Sequence, residues 1–289
     1  MEPNQLRQKI LRFSLDDGPR GNQGYSRVLL QLIGSIGHGK SFFINSSKYV
    51  LEEGETFIQY AEAGETADGG AITTVRKAYD LTENITMVDN RACNLANSFH
   101  KVVIYAQLGN FIPIGEKVEW MDNYTAMMHR LEDAALNPNY SDFIVPILIY
   151  SATCPLYDKN DMQTFMDNCV KMTGVVPIVV LTRKRSRDFI EIEKQFKQMG
   201  AETVIGIENY TDEDYIQTLE RTKDILMVIH KALENVTFRL RQERNSQRDW
   251  RERKKFLLEY IHMAEKEKKE NLREEERRRE EVRRRAERN

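Results

Sequence analysis

The sequence predicts an α/β protein of three layers, a mainly parallel sheet held between helices, with a charged helical extension at its C-terminus. Three observations carry this. The run Arg27-Val-Leu-Leu-Gln-Leu-Ile33 is nearly all apolar and passes directly into a glycine-rich turn and a helical pattern. Further apolar runs recur at intervals that leave room for crossover helices. Beyond residue 239 the composition turns almost wholly to Arg, Lys and Glu.

With 289 residues and 40% hydrophobic content, the chain can bury one substantial core, and its length favours one domain plus an extension. It divides into a polar lead-in over 1–24, a globular domain over 25–238 and a charged tail over 239–289. The first strand, Arg27 to Ile33, is apolar on both faces, as a strand buried inside a parallel sheet must be. From Lys40, KSFFINSSKYVLEE spaces Phe43, Ser47 and Val50 about one turn apart and reads as a helix. Ala71 to Tyr79 is rich in Thr, Val and Tyr and suits an antiparallel edge strand. Ile85 to Asp89, Phe143 to Tyr150, Val176 to Thr182 and Thr203 to Ile207 supply the other strands. The amphipathic pattern between Asp212 and Leu240 predicts the helix that closes the domain.

The tail pairs Glu with Arg four residues later, as in Glu274 with Arg278 and Glu280 with Arg284. That spacing supports a solvated helix by about 0.2 to 0.5 kcal/mol per pair, and no sustained heptad seam accompanies it. After Thr237 the chain has 19 Lys and Arg against 13 Asp and Glu; the body has 24 against 32. The interleaved glutamates oppose phosphate contacts, so nucleic acid is an unfavoured partner. Trp250, Phe256, Leu257, Tyr260 and Ile261 are suited to docking the first part of the tail onto the body or onto a second copy.

Cys93, Cys154 and Cys169 are odd in number with no close spacing, which supports neither a disulfide framework nor a CxxC zinc site and favours a reducing compartment. No apolar run suits a signal peptide or a membrane span. A cytoplasmic location is expected.

Gly34-Ser-Ile-Gly37-His-Gly39-Lys40-Ser41 satisfies the Walker A pattern, in which glycines let successive backbone N–H groups turn inward around phosphates. The candidate phosphate-binding residues are therefore Gly34, Ser35, Ile36, Gly37, His38, Gly39, Lys40 and Ser41, with Phe42 in the first helical turn. Lys40 would reach the β and γ phosphates and act in catalysis, Ser41 would ligate magnesium, and the helix adds its positive end. His38, between two glycines, reads as a bystander whose side chain can point to solvent. Asp89, at the end of the apolar run ITMV, is the best second magnesium ligand; the alternative is a polar Asp-Asn turn. The sequence thus predicts a P-loop nucleoside triphosphate site.

The text GxxGxGKSxFxNS over Gly34 to Ser46 resembles GTPases of the translation-factor-related class, especially the immunity-associated (AIG-type), septin-like and interferon-induced protein 44-like groups. Leu181-Thr-Arg-Lys184 is similar to the TRKxD form of their guanine motif. The resemblance runs from about Arg27 to Asn235 and implies a G-domain-like fold binding GTP or GDP with Mg2+. It places Thr182, Arg183 and Lys184 beside the base and Asn209 in a loop packing on it; a plain turn serves equally for Asn209. It puts a magnesium-completing hydroxyl at Thr73 or Thr74, with Thr74 assigned to metal and catalysis, although both residues are also good strand formers. Ser186 stands where the guanine motif has its aspartate, and Asp89-Asn-Arg-Ala92 lacks the glycine of DxxG.

These residues imply a GTP-binding protein with slow Mg-dependent hydrolysis, since no Gln follows Asp89 closely and Ile36 is apolar. Nucleotide state would control assembly or partner binding, and helical extensions in related GTPases imply self-association through the tail. The alternatives are a non-catalytic module with structural nucleotide and an ATP-using P-loop kinase with Arg183, Arg185 and Arg187 as its lid. The residues by themselves do not exclude ATP.

Overall fold

A computed structural model describes residues 1–52, 56–63, 73–92, 98–120, 124–136, 138–156 and 158–286. In chain order these form α1 (Pro3–Leu11), β1 (Arg27–Ile33), α2 (Lys40–Glu52), β2 (Lys77–Thr82), β3 (Ile85–Asp89), α3 (Ser98–Leu108), α4 (Tyr124–Leu136), β4 (Asp142–Ser151), α5 (Lys159–Thr173), β5 (Ile178–Thr182), α6 (Phe189–Gln198), β6 (Thr203–Ile207), α7 (Leu219–Leu240) and α8 (Ser246–Ala286). The strands make one six-stranded sheet in the order β2-β3-β1-β4-β5-β6. Every pairing is parallel except that of β2 with β3.

Alternation along the strands divides the core in two. Val28, Leu30 and Leu32 of β1 and Phe143, Val145, Ile147 and Ile149 of β4 face a cluster completed by α1, α2 and α7. Ile144, Leu148 and Tyr150 of β4 face the other, built with α3, α4, α5, α6 and α8. Helices thus cover both faces, which explains why β1, β3, β4 and β5 read as near-continuous apolar runs.

The edge strand lies later than its expected bounds of 71 to 79. Residues 71 and 72 fall outside the described set, Val75 makes a single bridge to Lys117, and pairing with β3 begins at Lys77. At the other end, β5 starts at Ile178, directly after Pro177, whose missing N–H suits the entry to a strand and not its interior. α7 begins at Leu219 because Thr218 caps it, its side chain accepting from the Arg221 N–H.

Two terminal segments differ from the division expected from composition. Residues 1–24, polar on average, hold α1, whose Leu6 and Ile10 are buried in the core with α7. Gln23 then ties the α7–α8 turn to this segment, donating to the Leu240 carbonyl at 2.7 Å and accepting from the Arg244 N–H at 2.6 Å. The first half of α8 belongs to the core: Trp250, Leu257, Ile261 and Ala264, spaced at helical intervals, are buried. Phe256 and Tyr260 meet Tyr105 of α3 edge-on at 5.5 and 4.8 Å between ring centroids. Of the two docking surfaces open to these side chains, the body is the one used. Past Ala264 every described side chain of α8 is exposed or half-buried, with Lys269–Glu265 and Arg278–Glu274 pairs at 2.8 and 2.7 Å.

Candidate functional site

The chain leaves β1 toward β3 on one side, through α2 and β2, and later toward β4 on the other. In parallel sheets a crevice opens beyond the carboxyl ends of strands at such a reversal. The glycine-rich turn lies there. Gly34 passes so close to β4 that a Cβ would sit 2.3 Å from the Ile149 carbonyl oxygen. Gly39 has φ +92°, and a Cβ on it would meet Asn209 Nδ2 at 3.0 Å and Thr182 Cγ2 at 3.2 Å. Backbone conformation and space therefore both demand glycine at this position.

α2 starts at Lys40, so its unpaired first-turn N–H groups open onto the turn. The Lys40 side chain is buried and folds back over it, Nζ donating to the Gly34 carbonyl at 2.9 Å and the Ser35 carbonyl at 3.0 Å. Ile36, at the tip, is 44% exposed. Phe42 is half-buried in the first turn. Ser46, one turn further along, accepts from the Tyr210 N–H at 2.8 Å and fixes α2 to the β6–α7 loop.

Asp89 ends β3 beside β1, in register with Leu32. Its Oδ2 accepts from Ser41 Oγ at 2.8 Å and from Thr73 Oγ1 at 3.2 Å. Oδ1 is buried with no hydrogen-bond partner. Burial pushes this carboxyl above its ordinary pKa, opposed by the Lys40 charge and by the Ser41 and Thr73 hydroxyls. Such an oxygen, beside a hydroxyl and short of donors, suits a hard cation that takes its remaining ligands from phosphate and water. Among the described residues no group of three or more His, Cys, Asp or Glu could hold a metal ion.

Of the two threonines, Thr73 bonds Asp89. Thr74, the assigned ligand, uses its carbonyl to accept from the Val118 N–H at 2.9 Å and lines the small cavity, of about 110 Å3, beside Asp89. Glu62, Lys77 and Tyr79 line the same cavity, and burial with the Asp89 and Glu62 charges pushes the Tyr79 phenol up to about 12.

His38 does not point to solvent. The residue is 8% exposed, and its ring meets Tyr150 edge-on at 4.7 Å between centroids. Burial, with Lys40 and Arg183 adding like charge, lowers its pKa to about 4, so it is neutral at pH 7. Its packing on Tyr150 of β4, which itself packs edge-on against Phe196 of α6, is a contact that spacing along the chain cannot show.

Thr182 Oγ1 donates to the His38 carbonyl at 3.0 Å and anchors the turn to the end of β5. Asn209 Nδ2 donates to the Gly39 carbonyl at 3.3 Å, while its Oδ1 is buried without a partner. Lys184 is engaged elsewhere: Nζ pairs with Glu220 at 2.8 Å and Asp224 at 2.7 Å on α7. Arg183, Arg185 and Arg187 are all exposed, with Arg183 at φ +58°.

Sequence reasoning missed the polar cage behind Asp89. Arg76 is fully buried; its guanidinium donates to Asn90 Oδ1 at 2.8 Å, Asn110 Oδ1 at 3.1 Å, Gln31 Oε1 at 3.2 Å, the Gln107 carbonyl at 3.1 Å and the Ile112 carbonyl. Asn90 donates in turn to Gln31 and to the Leu32 carbonyl. The one signal was Gln31, a lone amide inside an otherwise apolar strand.

No protein-family model matches this chain, and no curated protein is significantly similar to it in sequence.

Proposed function

We propose that the chain binds a nucleoside triphosphate with magnesium at the Gly34–Ser41 turn, hydrolyses it slowly, and uses the bound state to govern assembly or partner binding. The observation that carries this reading is the Lys40–Ser41–Asp89 arrangement: a buried ammonium on the turn's own carbonyls, and a buried carboxylate on the adjacent hydroxyl with one oxygen unpaired. An ammonium, the N-terminus of α2 and the backbone N–H groups of a glycine turn all attract one polyanion. Ser41 and Asp89 would hold the magnesium ion, with Thr73 bonded to the same carboxylate. Magnesium would supply neutralisation of the charge on the phosphate oxygens.

Slow turnover follows from the surroundings. Asn90, directly after Asp89, is tied to Gln31 and the Leu32 carbonyl and is not free to orient water. The Ile36 side chain offers no donor at the tip of the turn. The base expected from the resemblance is guanine. Titration calorimetry with GTP, GDP and ATP, with and without magnesium, tests the proposal. Micromolar or tighter binding that weakens at least about tenfold on chelation is expected, and absence of binding by every nucleotide refutes it.

The second reading is a non-catalytic module that retains nucleotide as a structural ligand, favoured by the Arg76 cage on Asn90 and by Ala92 in place of a glycine. Multiple-turnover phosphate release separates the two. The exposed second half of α8 is the surface proposed for self-association, read by light scattering with and without nucleotide.

A further inference from the structure

We infer that the cavity between α1 and the end of α7 binds a small amphipathic anion, an apolar body carrying one carboxylate. The cavity, of about 350 Å3, is formed by the last turn of α1, residues 13–18 that follow it, and Thr237 and Leu240 of α7. It lies at the amino ends of the strands: the Phe13 carbonyl accepts from Asn84 Nδ2, just ahead of β3, at 3.3 Å. The Gly34–Ser41 turn follows the carboxyl end of β1, so the two sites are separate. The volume falls within the range of about 300 to 1,000 Å3 found for small-molecule pockets. A helix, about 10 to 12 Å across with its side chains, is too wide to enter. At the roughly 30 Å3 that a water occupies in the liquid, the space takes about a dozen non-hydrogen atoms.

Phe13, Leu15 and Leu240 give it an apolar lining, with the two leucines buried. Lys9 and Arg12, both exposed, stand on its rim and bring aliphatic stems as well as charge. Neither cation is in an ion pair among the described residues; Glu234, which feels the Lys9 charge, is held by Lys231 at 2.6 Å. Of the residues lining the cavity, Asp17 is the one acid against these two bases. The carbonyls at the helix ends are occupied: those of Gln8 and Ile10 accept from the Arg12 and Phe13 N–H groups, and that of Leu240 from Gln23 Nε2. The rim is therefore cationic on balance. The Ser14 hydroxyl, which accepts from the Asp16 N–H at 3.2 Å, keeps its own proton to donate.

The turn beneath the cavity is tied down from both sides. Asn22 donates to Asp16 Oδ1 at 2.7 Å, and Arg20 Nε donates to the Arg241 carbonyl, just past α7, at 3.2 Å. Gly18 has φ −73° and ψ 153°, a backbone conformation open to any residue. A Cβ on it would meet nothing nearer than the Gly21 carbonyl oxygen at 3.7 Å, with Leu240 Cβ at 4.0 Å. A larger side chain at this position therefore enters the space beside Leu240 without backbone strain. An anionic head meets two cations against one acid at the rim, whereas an ammonium head meets the reverse.

Calorimetry of the full chain with octanoate, octanol and octylammonium, at submicellar concentrations, tests this. The wild type is expected to bind octanoate at one site with a Kd of about 1 mM or tighter, at least about fivefold tighter than the alcohol or the amine. Lys9→Gln combined with Arg12→Gln should bring octanoate down to the affinity of octanol, leaving octanol within about twofold of the wild type. Asp17→Asn should tighten octanoate by about two- to fivefold. Gly18→Leu, which fills the cavity, should lose both octanoate and octanol. Absence of saturable octanoate binding to the wild type, or wild-type affinity in Gly18→Leu, overturns the site. Octanoate binding no tighter than octanol, or unchanged in the Lys9 and Arg12 double variant, overturns the anionic class of the ligand. Each outcome is read without nucleotide, so none depends on what binds at Gly34–Ser41.

Discussion

Replacing Lys40 with Ala tests the glycine turn most directly. Two quantities follow from its surroundings. Without nucleotide, the ammonium satisfies the Gly34 and Ser35 carbonyls at 2.9 and 3.0 Å. It also supplies the largest charge offsetting the burial of Asp89. One or two hydrogen bonds with a charged donor contribute about 1.5 to 3 kcal/mol each, but these carbonyls sit on a turn where water can replace the donor, so a net loss of about 1 to 2 kcal/mol is expected. With nucleotide, the same ammonium would face phosphate oxygens at hydrogen-bond distance, an interaction of about 5 kcal/mol at an effective dielectric of about 20. Binding should therefore weaken by about 10^3-fold or more, against a modest loss of stability. The assay is thermal unfolding across a nucleotide titration, backed by calorimetry. At about 100 times its Kd, a ligand adds about 2.7 kcal/mol to the wild type, and the variant should show no shift at that concentration. An equal nucleotide-induced shift in both proteins would show that Lys40 does not grip phosphate.

Three other outcomes are expected. Leu257→Ala on α8, fully buried against the α3–α5 face, should cost about 2 to 5 kcal/mol in urea unfolding, whereas Glu280→Ala on the exposed half should change stability by less than about 0.5 kcal/mol. Asn90→Ala removes one acceptor and one donor from the Arg76 cage and should cost about 1 to 3 kcal/mol, with hydrogen exchange quickening in β3 and in residues 90–92. His38 has a folded pKa of about 4 against 6.5, so between these values the unfolded chain binds more protons. Its stability contribution is complete above about pH 6.5 and is lost as pH falls toward 4, on the order of 3 kcal/mol; His38→Phe should flatten that limb of the stability curve.

The apolar runs beginning at Arg27, Ile85 and Phe143 became β1, β3 and β4 with bounds within a residue or so, because a strand covered on both faces has no polar side to blur its pattern, and the run Thr203 to Ile207 became the half-buried edge strand β6. β2 lies on the sheet edge, where alternation is weak, and its start was placed too early. The docking of α8 was half legible: Trp250, Leu257 and Ile261 lie on one stripe, but only packing decides that the stripe meets α3 and α5 of its own chain.

For the candidate site, the turn, its lysine and the acid at the end of β3 were legible because each is written in a local pattern of residue type and spacing. Local sequence determined a glycine turn between strand and helix, with Lys40, Ser41 and an apolar run ending at Asp89. Which groups meet across the sheet was decided by tertiary structure alone: Thr73 and not Thr74 on Asp89, His38 folded against Tyr150, Arg76 caged by three amides. Those contacts join residues from about 14 to more than 100 positions apart. Their partners depend on strand order and register, which no local propensity encodes.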